Sequence, residues 1–236
     1  MKKLLYVLAI TTFLGCNNER VLLLPEIENA EVTEVLDVSP VYIFYDETQP
    51  DSTLFNRKNL IGTTNWLVNV DRRLTLRQAI PHIQYLQNKR KKESMHKNED
   101  AKNYFTCNDT SIKNLGFLEF TDVNYKYVDI TNDSLNLQIL EPSNDLYKKG
   151  FVEHAYITIS VVFDRDKTIE YKNRLLTFSD YISEIPKTEF PIVALGFSLD
   201  LYFDESLTFQ DYISIKSELS QIEREDIIVS PFEFIY

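Results

Sequence analysis

The phrase Leu207-Thr-Phe-Gln-Asp-Tyr-Ile-Ser214 is nearly written twice. Thirty-one residues earlier the chain reads Leu176-Thr-Phe-Ser-Asp-Tyr-Ile-Ser183, identical at seven of eight positions. In both, a Thr stands three residues before an Asp at the head of an apolar-periodic run. That spacing lets the Thr hydroxyl accept the third helical amide while the acid reaches back to the Thr amide, a capping box. A fainter copy, Leu74-Thr-Leu-Arg-Gln-Ala-Ile80, carries Gln78 in the acid's place. The copies at Leu74 and Leu207 each follow an alternating run, 66–71 and 198–204, which reads as a strand. A strand feeding a capped helix, used more than once, implies an α+β architecture of small sheets covered by helices. Thr caps recur wherever helices follow strands, but the shared Tyr-Ile-Ser continuation does not. A tandem repeat is therefore the expectation.

Composition agrees. The 236 residues are 44% hydrophobic with only 5 Gly, enough to bury real cores. Fourteen Tyr and 15 Phe lean the chain toward sheet. The formal net charge of −11 argues against a nucleic-acid partner, which would need a basic face for phosphates.

Met1-Lys2-Lys3 is a basic start, 4–14 is an uncharged, mostly apolar run, and Gly15-Cys16 follows at once. The run is too short to cross a bilayer as a permanent helix and ends at a small residue, as a secretory signal does. A Cys directly after that small residue resembles the lipobox of bacterial lipoproteins, with Phe13 departing from the usual Leu. The resemblance implies a signal peptide over 1–15, cleavage before Cys16, and acylation of its sulfur and new amine. Competing readings are an ordinary cleaved signal with an incidental Cys, or an uncleaved anchor. Loss of Lys2 and Lys3 would leave 23 basic against 36 acidic residues, a mature charge of −13. Cys107 then has no disulfide partner, and a buried structural role is expected of it. His82, His96 and His154 lack ligand spacing, so no metal or other cofactor is expected.

Residues 16–39, acidic at Glu26, Glu28, Glu31 and Glu34, read as a tether with room for a short strand or helix. An N-terminal α+β domain is expected over 40–140, a linker over 141–154 and a C-terminal α+β domain over 155–236. In the first, strands are expected at 41–45, 66–70, 115–120, 123–130 and 135–140. Thr75 caps a helix with an apolar stripe of Leu76, Ile80, Ile83 and Leu86, in which Pro81 implies a kink or a late start. The basic stretch 89–92 could meet anionic headgroups. The mixed signs that follow favour a solvated helix end. In the second half, a strand at 155–163 turns at 164–167 and returns at 168–171 as a hairpin. Thr177 caps a short helix that Pro186 ends. A strand at 192–203 leads to the helix capped by Thr208, with stripe Tyr212, Ile215, Leu219 and Ile222. A final strand over 227–236 carries Pro231, which belongs at an edge or bulge. The order is β-β-α-β-α-β.

That order, from about Ala155 to Tyr236, resembles the periplasmic domain of the ExbD/TolR proteins, accessory components of proton-driven biopolymer transport. The resemblance implies that the first half is a degenerate second copy, with Asp71 in the place of Asp204. Those proteins carry a transmembrane helix with an essential Asp. The apolar run 4–14 contains no acid, and a proton relay would require one. The expected role is thus a lipid-anchored envelope adaptor or scaffold without proton coupling. It would face the periplasm or cell surface and act through an envelope partner or a second copy. The sheet edge at 230–236 is the candidate contact. The alternative is a ligand-binding lipoprotein that captures carbohydrate or peptide through its Tyr and acidic groups. No catalytic residue is expected. Asp164 and Asp166 sit in a turn beside Arg165 and Lys167. Asp200 and Asp204 would stand roughly 13 Å apart along a strand rising about 3.3 Å per residue, too far for a glycosidase pair. No nucleophile elbow or phosphate loop is present. Cells fed a palmitate analogue should label the chain, and Cys16→Ala should abolish the label; label that persists would overturn the anchor.

Overall fold

The computed structural model describes residues 20–92, 98–129, 155–167, 169–171, 174–184, 194–222 and 224–236. The expected signal peptide at 1–15, Cys16, the expected linker at 141–154, the strand expected at 135–140, His96, His154 and Pro186 lie outside them. The elements in chain order are β1 (Glu26–Ile27), β2 (Val38–Tyr45), β3 (Thr53–Asn56), β4 (Asn65–Val70), α1 (Leu76–Lys92), β5 (Asn103–Asp109), β6 (Asn114–Glu119) and β7 (Asn124–Tyr127). They continue with β8 (Ala155–Phe163), β9 (Ile169–Tyr171), β10 (Arg174–Leu176), α2 (Phe178–Glu184), β11 (Ala194–Phe203), α3 (Phe209–Ser220) and β12 (Ile227–Ile235). The fold is α+β.

Both halves are built on the same three parallel strands. In the first sheet β2, β4 and β5 pair in that order, with α1 crossing from β4 to β5. In the second, β8, β11 and β12 do so, with α3 crossing from β11 to β12. Antiparallel β3 edges the first sheet beside β2. β6 pairs with all of 104–109, so β4 and β1 share the other side of β5. Within the segment read as a tether, β1 and Val32 hydrogen-bond to this sheet. Gly116 of β6 permits the close approach, since a Cβ there would meet Ala30 Cβ at 2.6 Å. β7, although it follows β6 in the chain, pairs in parallel with β12 of the second sheet.

The helix starts follow the expected capping. The amide of Thr75 donates to Gln78 Oε1 at 2.9 Å, and Thr177 and Thr208 bond to Asp180 and Asp211. The α1 stripe of Leu76, Ile80, Ile83 and Leu86 is buried. Pro81 does not delay this helix, which begins at Leu76, five residues before it. The strand at 168–171 does not return along β8. The turn at Asp164 forms, but β9 pairs with the separate three-residue strand β10. Pro231 sits in a β12 bulge, where one β11 residue between Leu199 and Leu201 stands opposite three β12 residues between Val229 and Glu233.

The two turns that precede α1 and α3 meet at the centre. Thr75 faces Thr208 in an antiparallel bridge. Leu76 and Arg77 donate their amides to Leu207 O and Glu205 O, each at 2.9 Å. Reciprocally, Phe209 and Gln210 donate to Leu74 O at 2.6 Å and Arg72 O at 3.2 Å. Asp71 and Asp204 occupy equivalent places. Each donates its amide to the first of the three parallel strands of its own half (Ile43 O of β2, Phe163 O of β8), and each accepts the amide two residues on. Asp71 is fully buried. Burial alone would raise its carboxyl pKa, but the Arg73 guanidinium and the amides of Arg73 and Leu23 hold it below the usual range.

One apolar core runs through both halves, from Trp66, Ile80 and Phe105 to Phe163, Phe203 and Tyr212. Such a shared core makes unfolding cooperative. Leu207→Ala removes a buried side chain from the second half and should cost about 2–5 kcal/mol. Trp66, the one Trp, reports the first sheet. In denaturant titrations its fluorescence and far-UV circular dichroism should shift together in this variant. A Trp66 transition left in place would show that the halves unfold separately.

Candidate functional site

A slot opens where the two sheets approach each other. One wall is β12. Its strand neighbours are β11 on both sides of the bulge, at 227–229 and 233–235, and β7 only along residues 232–235. The expected edge at 230–236 is therefore closed over most of its length, because β7 has crossed from the first half to cover it. The edge left uncovered by the described residues lies just before the bulge. There the amide of Phe197 donates to Asp226 O, which fixes the ladder alternation: residues 226 and 228 point to β11, and 229 points away. The backbone N–H and C=O of Val229 find no partner among the described residues. The side chains nearby are exposed for their kind, Ile228 at 41%, Val229 at 37% and Phe232 at 40%.

The opposite wall is β6, with Phe117, Leu118 and Glu119, followed by Phe120 and flanked by Glu31 and Val32. Phe105 of β5 and Lys216, Leu219 and Ser220 of α3 complete a cavity of about 290 Å³, of which Val229 forms part. Phe105 is held rigidly. It stacks on Phe120 at 3.8 Å between ring centres and meets Phe209 and Tyr212 edge-on.

Beneath the slot lies a buried polar network. Glu233 of β12 is fully buried, accepts Tyr212 Oη at 2.8 Å, and pairs with Lys216 Nζ at 2.5 Å. Tyr125 of β7 hydrogen-bonds Tyr212 at 3.0 Å. Burial first, then the Glu233 charge, pushes both phenols well above their ordinary range, so both stay protonated. Glu233 shares the inward face of β12 with Ile235, where an acid is tolerated only because each oxygen has a donor.

The network is chemically saturated. Lys216 is committed to Glu233, and Glu233 to Lys216 and Tyr212, which suits holding β7, β12 and α3 in register. Other groups singled out by sequence are dispersed. Asp164 accepts the Asp166 amide within the β8–β9 turn, Asp200 pairs with Ser160 along the sheet, and Asp204 anchors the turn before α3. Cys107 is buried in β5, and burial pushes its thiol pKa up. His82 is half-buried against Phe55 and Thr53, and burial lowers its pKa. In the basic stretch Arg90 is not solvated as expected. It is buried over the Trp66 ring at 4.0 Å and donates to Thr64 O. Among the described residues no three His, Cys, Asp or Glu side chains gather as a metal site would, and no helix is long and apolar enough to cross a membrane. Sequence reasoning missed Lys216 and Glu233. The available signal was an acid between Phe232 and Phe234, at a position whose period-two parity faces inward.

No protein-family model, curated protein or solved structure matches this chain. Lys216→Met would strand the Glu233 charge in the core and should cost about 3 kcal/mol. Adding Glu233→Gln should recover part of that loss in urea melts. A double variant less stable than the single would show that the pair is not the source of the cost.

Proposed function

We propose that this chain is a lipid-anchored, non-catalytic adaptor of the bacterial cell envelope that works by protein contacts. The observation that carries the reading is the uncovered stretch of β12. Backbone groups without partners among the described residues, beside exposed Ile228, Val229 and Phe232, form an edge that another chain can complete. Support for the anchor is the Gly15-Cys16 junction after the short apolar run. Support for a non-catalytic role is the saturation of the buried Tyr125–Tyr212–Glu233–Lys216 network, whose acid and base are committed to each other. The helix–β11–helix–β12 order that ends the C-terminal half supports a place beside ExbD/TolR-type biopolymer transport, without proton coupling, although β9 pairs with β10 and not with β8. A second reading, capture of a carbohydrate or peptide ligand, draws on the cavity walled by Phe105, Phe117 and Phe120.

Photo-crosslinking at Ile228 and Phe232 in intact cells separates these readings. The adaptor should give discrete protein adducts that depend on Cys16. Background adducts only, together with binding on a glycan array, would transfer the case to ligand capture.

A further inference from the structure

We infer that the slot between β6 and the uncovered part of β12 takes one extended segment of a partner protein, apolar on one face and carrying Lys or Arg. The inference rests on the adaptor reading and names its partner's chemistry. Val229 presents an N–H and a C=O to the slot, so the ligand must offer a matching donor and acceptor in strand geometry, as a peptide backbone does. The position is in line with β7, which already lies against residues 232–235 of β12, so an incoming strand continues an existing row of the sheet.

Alternate side chains of such a strand point to opposite faces, and one set enters the cavity against Phe105, Phe117, Phe120 and Leu219. Charge decides the rest. Of the charged groups lining the slot, Lys216 is committed to Glu233 and Glu119 to Lys102. Glu31 remains exposed with no ion pair among the described residues, on a chain of net charge −11. A basic segment is attracted and an acidic one repelled. A second copy of this chain would bring further acid to the same rim.

The probe is a dye-labelled hexapeptide, Ac-Val-Lys-Val-Lys-Val-Lys-NH2, titrated by fluorescence anisotropy against the full chain in detergent micelles. Controls are the Val-Glu analogue and a Val-Lys peptide N-methylated at alternate residues. The Val-Lys peptide should bind, and both controls should bind about tenfold weaker or worse, a difference of ~1.4 kcal/mol. Val229→Pro should weaken binding comparably while leaving the melting curve in place. The lost N–H makes no ladder bond, and Pro231 already sits two residues on. Glu31→Lys should invert the preference between the two peptides. Four results would overturn the inference: no binding at millimolar peptide, equal binding of the N-methylated form, tighter binding of the Val-Glu peptide, or a dimer by sedimentation that Val229→Pro dissolves. Envelope crosslinks that survive Val229→Pro would also overturn it and leave the adaptor reading standing. Absence of any envelope crosslink removes the adaptor reading, whatever the peptides do.

Discussion

Every helix begins with amides that have no partner inside it, and burying a helix start makes those amides expensive. Here α1 and α3 both begin at the centre of the molecule, where Leu74, Leu76, Leu207 and Phe209 are sealed from water. Each solves the other's problem. The first two amides of α1 bond carbonyls of the turn before α3, and the first two of α3 bond carbonyls of the turn before α1. The third amide is met locally, by the Thr caps. This exchange has the reciprocity of a two-fold interface between identical subunits, although both partners belong to one chain. Neither half can bury its helix start alone without leaving two donors orphaned.

The second tie between the halves is β7. By leaving β6 and pairing with β12, it brings Tyr125 under the second sheet, where it reaches Tyr212 and through it Glu233. A buried carboxylate is costly unless its oxygens are filled, and here the donors come from one helix, at Tyr212 and Lys216. A slip of β12 by one residue would turn Glu233 outward and Phe234 inward, and the network would lose its acceptor. The charge therefore sets the register of β12 after its bulge. Among the described residues, none pairs with the stretch before the bulge on the β7 side.

The elements themselves were legible, because they rest on local physics. Thr caps at 75, 177 and 208 and the alternation of β2, β4, β8, β11 and β12 survive in the structure. Similarity of wording was a poorer guide to similarity of place. The close echo at Leu176 caps α2 after a three-residue strand, whereas the faint echo at Leu74 is the true counterpart of Leu207, down to Asp71 and Asp204. Caps are set by three or four residues and recur by chance. Topological equivalence depends on the strands to either side, and β4 and β11 share pattern without sharing letters. β5 was harder to read, since Asn103, Thr106 and Asp109 are buried among its apolar residues and erase the alternation. The β9–β10 pairing and the crossing of β7 depend on contacts made far along the chain, which no local pattern encodes. The slot inherits that opacity, because its walls come from β6, α3 and β12.

An unpaired strand edge is a liability as well as a tool, since any other edge can add to it. The uncovered part of β12 is limited on every side. It is only about four residues long, the Pro231 bulge stops a partner strand from continuing along it, and β7 occupies the row beyond. Glu31 and Glu119 face it across the cavity. These features discourage the pairing of one copy's edge with another's, which would bring like charges together, while leaving the Val229 backbone accessible. Short length lowers the affinity available from main-chain bonds alone, so selectivity must come from the side chains that fill the cavity and meet Glu31. That division of labour, with backbone groups to align and a small aromatic pocket with an acid to choose, is what the proposed strand contact requires if it is to be specific and reversible.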